Sequence, residues 1–372
     1  MKVLMVTPTF YPITGGTETM VRNLSKEINK LGVHADILTF NMDRIWNPKW
    51  RKKIEEIDGI TVFKVPALNW LPIVHSPRIN LEINLIPGRF THLMKDYDII
   101  HFHGVEFSFP LFSYFVKKPK ILHLHGIRSA YFKRYHLSRF ILKTSADLYL
   151  SLSKKMKKEL ITLGIPQEKI LCFPNSVDSN IFKPKEKKSD NTILYVGRIV
   201  HRKGLHILLK SLKYLQNPVE LKIIGPRDWN QDYSQKISRL IEIINQKGKH
   251  KIRYLGTVDT PTLIEEYQKA SIFVLPSFFE PFGVVLLEAM ACGTPVVSTH
   301  TGGTPEIVKT GENGILVPVN NPAKLAKSID YLLENKDARI KFGKAARKTV
   351  LDNFSIEIAA EKLCTIYEKI VK

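Results

Sequence analysis

Two stretches of this chain share one design, and together they constrain its fold more than any other feature. Residues 2–32 (KVLMVTP…GGTETMVRNLSKEINKLG) and residues 192–215 (TILYVGRIVHRKGLHILLKSLKYL) each run from a short apolar strand, through a loop with glycine, into an amphipathic helix. An uninterrupted apolar strand is buried on both faces, as happens in parallel sheets covered by helices. The two stretches begin about 190 residues apart, too far for a short repeat array. Each therefore reads as the opening unit of its own doubly wound α/β domain.

The segments that follow keep this alternation. In the first half the expected strands are Ala35–Phe40, Thr61–Val65, Ile99–His103, Ile121–His125 and Leu148–Ser151. In the second half they are Ile193–Gly197, Leu221–Ile224, Ile252–Leu255, Ile272–Leu275 and Thr294–Ser298. The charged, proline-punctuated run 183–191 (KPKEKKSDN) is the best linker. In the tail, Ile356, Ala360, Leu363, Tyr367 and Ile370 recur at helical spacing after Ser355, a plausible N-cap. Neither opening loop has the G-x-G-x-x-G spacing of a dinucleotide site, so a nicotinamide-dependent enzyme lacks its fingerprint.

Composition narrows the partners. The formal net charge is +21, which asks for an anionic partner: a nucleotide diphosphate, an acidic lipid or a nucleic acid. No helix-turn-helix, zinc-finger or ribonucleoprotein signature supports nucleic acid. Three scattered cysteines give neither a disulfide framework nor a metal pair, and suggest a reducing, cytoplasmic setting. The most apolar window of the first half, residues 107–116, is shorter than the ~20 residues a spanning helix needs. The opening residues read as a core strand rather than a signal peptide.

Two segments carry chemistry. In SFFEPFGVVLLEAMACGTPVVSTHTGGTPEIV (277–308), Glu280 and Glu288 are eight apart, with Pro281, Phe282, Gly283 and Val284 after the first. Pro281 suits the first turn of a helix, and Gly283 lets backbone approach a ligand. A helix starting there aims free N–H groups and its dipole at an anion. Glu288, two turns in, can accept two sugar hydroxyls, while Glu280 lies nearer the reacting end. Taken alone, the two acids are better explained as complements to the helix dipole, and the surrounding GTP and GGTPE segments reverse that balance. In YVGRIVHRKG (195–204), Gly197 and Arg198 follow a strand and Lys203 precedes a helix. Two cations beside free N–H groups make a diphosphate clamp, although a solvated basic turn has the same composition.

The motifs G-R-x-x-x-x-K-G, E-P-F-G-x-x-x-x-E and G-G-x-x-E, in this order, resemble the retaining glycosyltransferases of family 4, and the likeness covers essentially the whole chain. Gly15-Gly16, the Asp98–His103 strand, His125-Gly126 and Asn175–Asp178 also fall in the expected order, with Ser176 where that family usually has glycine. The resemblance implies a GT-B architecture: two doubly wound Rossmann-like domains facing an interdomain cleft. Residues 1–182 would bind acceptor, 183–354 would bind the nucleotide-sugar donor, and 355–372 would cross back to the first domain. It implies that Arg198 and Lys203 bind donor phosphates, Glu288 the ribose and Glu280 the donor sugar, with His125 near the reacting centre. Gly15, Gly16, Gly197, Pro281, Phe282, Gly283 and Val284 complete the expected donor site; His103 and Gly126 lie on the acceptor side. It implies hexosyl transfer with retention, from a UDP-, GDP- or ADP-linked sugar to a lipid-linked, glycan or small-molecule acceptor. Cations and amides that neutralise the departing diphosphate make a metal cofactor unnecessary.

Three readings compete. A nucleotide-sugar epimerase of the same architecture needs only a donor site. A two-lobed, non-enzymatic anion-binding protein and a basic nucleic-acid binder are the others. A zinc site is a further alternative, since His101/His103 and His123/His125 sit at i, i+2 and share a face. His101 and His123 are expected inside the fold, His103 and His125 at the ligand end of the sheet. Loops 41–50 and 66–86 are expected to shape the acceptor pocket. Finally, residues 117–158 hold twelve Lys or Arg against one acid, Asp147. Among them stand Tyr131, Phe132, Tyr135 and Phe140, so the stretch is expected to dock peripherally on an anionic membrane surface.

Overall fold

Strand Lys2–Val6 lies at the centre of an eight-stranded sheet. The order is Ile170–Cys172, Leu148–Ser151, Lys120–Leu124, Ile99–His103, Lys2–Val6, His34–Phe40, Ile60–Val65 and Lys53–Ile57. All neighbours are parallel except the last pair, where Lys53–Ile57 runs antiparallel to Ile60–Val65. The computed structural model describes every residue except 14, 45–46, 49–52, 66–89, 105–113, 115, 128, 135, 186–188, 228–230 and 372. The expected acceptor loop 66–86 lies outside the described residues, as do much of 41–50 and residues 128 and 135 of the basic stretch. The side chain of Tyr131 does too.

The chain divides into two compact units: 1–175 with 356–372, and 176–355. Segment 176–182, which the sequence reading places in the first domain, is held to the second unit. Val177 N–H donates to Phe354 O at 2.9 Å, and the Arg347 guanidinium donates to the carbonyls of Ser179 and Phe182.

In the first unit, Met20, Val21, Leu24 and Ile28 line one face of helix Gly16–Lys30, the i, i+3, i+4 spacing that gives an apolar stripe. They pack with Val3, Met5, Ile37, Val62, Ile99 and Ile121 from the strands. The tail helix Ile356–Val371 belongs to the same core through Ile356, Ala359, Ala360, Leu363 and Tyr367, and lies against helix Gly16–Lys30. The Tyr367 hydroxyl reaches His101 Nδ1 at 2.6 Å, which ties the last helix to the middle of the sheet.

The second unit is built on a six-stranded, wholly parallel sheet in the order Lys251–Gly256, Glu220–Ile224, Thr192–Val196, Ile272–Leu275, Val296–Thr299 and Gly314–Val317. Leu205, Leu208 and Leu212 from one side and Leu325, Ile329 and Leu332 from helix Pro322–Glu334 fill its core. In both sheets the first strand of the unit is flanked by strands reached in opposite directions along the chain. Such a reversal opens a crevice at the carboxyl ends of the two strands it separates. In the second unit those strands are Thr192–Val196 and Ile272–Leu275, so loops 197–204 and 276–283 meet there.

The fully buried Leu363 gives a test of the tail's place in the first unit. Leu363→Ala is expected to lower unfolding free energy by about 2–5 kcal/mol, the usual cost of emptying a closed leucine site. Urea melts measure it; a loss below about 1 kcal/mol, an exposed-site value, would mean the tail helix is not part of that core.

Candidate functional site

The crossover of the second sheet brings the two chemical segments together. Loop 197–204 is short and tightly placed. Gly204 has φ +71°, and a Cβ there would lie 2.0 Å from Pro276 O, so only glycine lets the two loops close on each other. Lys203, the residue before it, reaches across to Glu280: Nζ and Oε2 are 2.5 Å apart, with side chains 13% and 7% exposed. The Ser277 hydroxyl donates to the same carboxylate oxygen at 3.3 Å. Lys203, expected as one of two cations in a diphosphate clamp, is thus half of a shielded ion pair.

Arg198 differs. It is exposed, and its guanidinium has no ion-pair or hydrogen-bond partner among the described residues. Its backbone carbonyl accepts from the Tyr195 hydroxyl at 3.3 Å, which fixes the loop while leaving the charge available. Gly197 and Arg198 thus share with Lys203 the loop at the carboxyl end of strand Thr192–Val196.

The acidic motif folds with one change from expectation. Helix Val284–Ala291 begins after Gly283, which caps it with φ +103°. Pro281 and Phe282 therefore lie in the loop, not in a first helical turn; left-handed backbone at Gly283 separates them from the helix. Leu286 and Leu287 N–H donate to Gly283 O, and the first N–H groups of a helix otherwise lack intrahelical acceptors, which is the feature an anion site uses. The Glu280 carbonyl accepts from Gly303 N–H at 3.1 Å. A Cβ on Gly302 would lie 1.7 Å from that same oxygen, which explains the double glycine. Thr301 and Thr299 clamp this loop through bonds to Phe278 O and Ser277 O.

Glu288 falls in the second turn of the short helix and is half-buried. Its Oε2 accepts from the Tyr267 hydroxyl at 2.7 Å. Burial pushes its carboxyl up to about 7, although the Tyr267 hydrogen bond works in the opposite direction. Sequence spacing singles out neither Tyr267 nor Ser277. Tyr267 lies 21 positions before its partner on another helix, and no local spacing announces the pairing.

The remaining expected residues lie in the first unit. Gly15 and Gly16 are exposed at the amino end of helix Gly16–Lys30, after the central strand. His101, His103, His123 and His125 form a stack on one face of their two strands, with ring centroids 4.3 Å apart for the first pair and 4.4 Å for the second. His103, expected at the ligand end, is in fact 2% exposed. As the last residue of its strand it faces the same way as His101, and its Nδ1 lies 3.1 Å from His125 Nε2. Only His125 and its neighbour Gly126 are half-open. Burial holds His101, His103 and His123 well below the usual histidine range. It brings His125 to about 4 against an opposing hydrogen bond from Asn175, so all four rings are neutral at pH 7.

His101, His103 and His123 place ligand nitrogens within 4.8 Å of one another. They offer imidazole ligands to a metal but no carboxylate to balance a buried dication. The basic stretch is partly as expected: Phe140 is 62% exposed, whereas Phe132 is buried at 3% and so is core rather than an anchor. No helix among the described residues is long and apolar enough to cross a membrane.

Comparison with known proteins agrees with this layout. The family model described as glycosyl transferases group 1 matches residues 176–349, and that described as Glycosyltransferase Family 4 matches residues 14–180. An uncharacterized glycosyltransferase of Methanocaldococcus jannaschii is 27% identical over 99% of this chain and 98% of its own. The O-antigen chain mannosyltransferase C of Escherichia coli is 24% identical over 100% and 99%. The crystal structure of Anabaena HepE in complex with UDP superposes with a TM-score of 0.80 at 20% identity, covering 99% of this chain and 100% of that one. The two halves of the chain thus match the two family models in turn, and the chain belongs to the family 4, group 1 glycosyltransferases of GT-B architecture.

Proposed function

We propose that this glycosyltransferase moves a hexosyl group from a nucleotide diphosphate sugar to an acceptor, with retention at the anomeric carbon and no metal at the diphosphate. The observation that carries the reading is the meeting of Arg198, the Lys203–Glu280 pair and the helix start after Gly283 at one sheet crossover. A departing nucleoside diphosphate develops negative charge. An unpartnered guanidinium, a lysine and helix amides would stabilise that charge where it appears. The UDP held by the similarly folded Anabaena protein is consistent with such a donor.

The chemistry asked of the site is simple in outline. The bond between the anomeric carbon and the phosphate oxygen breaks, and the acceptor oxygen bonds to that carbon on the same face. The acceptor proton passes to the departing phosphate oxygen. A double displacement would need a free carboxylate nucleophile, and Glu280 is already held by Lys203 and Ser277. Glu280, beside Lys203, is assigned to the sugar, and Glu288 to the ribose hydroxyls. Gly197, Pro281, Phe282 and Val284 frame this donor site in the second unit. The acceptor is assigned to the first unit, with His125 and Gly126 as its half-open residues and His103 behind them. Exposed Phe140 and its basic neighbours favour an acceptor at an anionic membrane surface.

Arg198→Ala is expected to lower kcat/KM by about 100-fold or more, the value of one preorganised charge donor in a transition state (~3–4 kcal/mol). Its melting temperature should not move, because the side chain is exposed and unpaired. Turnover within about threefold of wild type would remove the clamp assignment. Lys203→Ala should lose activity and also stability, by about 3–5 kcal/mol, since it strands a shielded carboxylate.

Glu288→Ala is expected to raise KM for donor more than it lowers kcat, because a ribose contact exists both before and during reaction. A normal KM with collapsed turnover would contradict that role. Added magnesium or manganese should leave turnover unchanged, measured with purified protein and a donor panel; strict dependence on either would overturn the metal-free reading.

Docking is tested by co-sedimentation with anionic and neutral vesicles at low and high salt. Salt-sensitive binding to anionic vesicles alone is expected; equal, negligible binding to both removes the membrane assignment.

A further inference from the structure

We propose that Tyr267 is a positioning residue for donor binding: its buried hydroxyl fixes the Glu288 carboxylate in the rotamer and charge state that accept the ribose hydroxyls. The inference rests on the assignment of Glu288 as the ribose-binding carboxylate.

The geometry is specific. Tyr267 sits on helix Thr260–Lys269 and is 0% exposed. Its ring packs against those of Phe182 and Phe273, at centroid distances of 6.1 and 5.5 Å. The Thr294 hydroxyl donates to its backbone carbonyl at 2.6 Å, so the backbone is anchored as well. With ring and backbone held, the hydroxyl has one place to go, Oε2 of Glu288 at 2.7 Å. A carboxylate has about four lone-pair sites, so a single donor from behind leaves capacity for a diol in front. Without that donor, a four-bond side chain on an eight-residue helix would sample other rotamers, and its orientation would be lost on average.

The same bond sets the charge. Burial raises the Glu288 carboxyl to about 7, and the Tyr267 hydrogen bond opposes that rise. Burial and the neighbouring carboxylate push the Tyr267 hydroxyl well above its usual range, so it stays a donor at any working pH. Two hydroxyls of one ribose donate best to the ionised carboxylate. Donor affinity should therefore climb as pH rises through about 7 and level off above it. Removing the Tyr267 hydroxyl raises the carboxyl further, so the climb must move to higher pH.

The test uses Tyr267→Phe, which keeps the ring and its packing, and Glu288→Gln, which removes the titration. UDP, GDP and ADP are titrated against the full-length protein by calorimetry from about pH 6 to 9, and the tightest binder is followed. Tyr267→Phe is expected to weaken binding about tenfold at pH 7, as for loss of one hydrogen bond to a charged group. The deficit should shrink toward pH 9 as the carboxyl ionises, leaving the part due to lost orientation, with saturated kcat unchanged. In the Glu288→Gln background the tyrosine change should lose its pH dependence, and the diphosphate's own ionisation is common to all variants.

A Tyr267→Phe profile that overlays wild type, or a loss of the same size at every pH from 6 to 9, overturns the proposed role. If Glu288→Gln itself binds as wild type at every pH, the ribose assignment fails instead. The two failures are therefore distinguishable.

Discussion

The ion pair between Lys203 and Glu280 is the contact on which the candidate site of the second unit depends. It joins the loop after the first strand of the second sheet to the loop after the strand beside it. Both charges are largely removed from water, a state tolerable only when each is the other's partner and further hydrogen bonds complete the shell. Ser277 supplies one such bond, and the Gly204 approach to Pro276 makes the reach possible. The pair therefore does two jobs in the free protein. It holds the crossover loops at a fixed spacing, and it keeps a lysine in waiting beside Arg198.

That arrangement explains the glycines better than flexibility does. Gly204 and Gly302 each sit where a Cβ would collide with a backbone carbonyl, of Pro276 in one case and Glu280 in the other. Both collisions involve the loop that carries Glu280. The acidic residue is thus boxed in by backbone from three loops before any ligand arrives, as an electrostatic site must be if its charges are to act without reorganising.

The first unit solves a different problem. Four imidazoles from two adjacent strands lie ring beside ring, and burial keeps them neutral. The tail helix closes over this stack, with Tyr367 bonded to His101. Its stability therefore rests on residues from both ends of the chain, and only His125 reaches toward the open side.

Much of this was legible in the sequence. Apolar strands alternating with amphipathic helices gave two parallel-sheet units, because burial on both faces leaves a continuous signature that solvent-exposed strands lack. The strand Lys53–Ile57 went unread for the converse reason: its KIEEI pattern is mostly polar, and it is a strand through antiparallel pairing to Ile60–Val65. Arg198, Lys203, Glu280 and Glu288 could be named from motif spacing, since each sits a fixed few residues from a glycine or a helix start. Their states could not. Whether Lys203 is free or paired, whether His103 is open or buried, and which hydroxyl faces Glu288 depend on groups tens of residues away. Local spacing determines which residues reach the end of a strand; only the packed sheet decides what they meet there, because those neighbours are brought together by the crossover of the chain and not by its order.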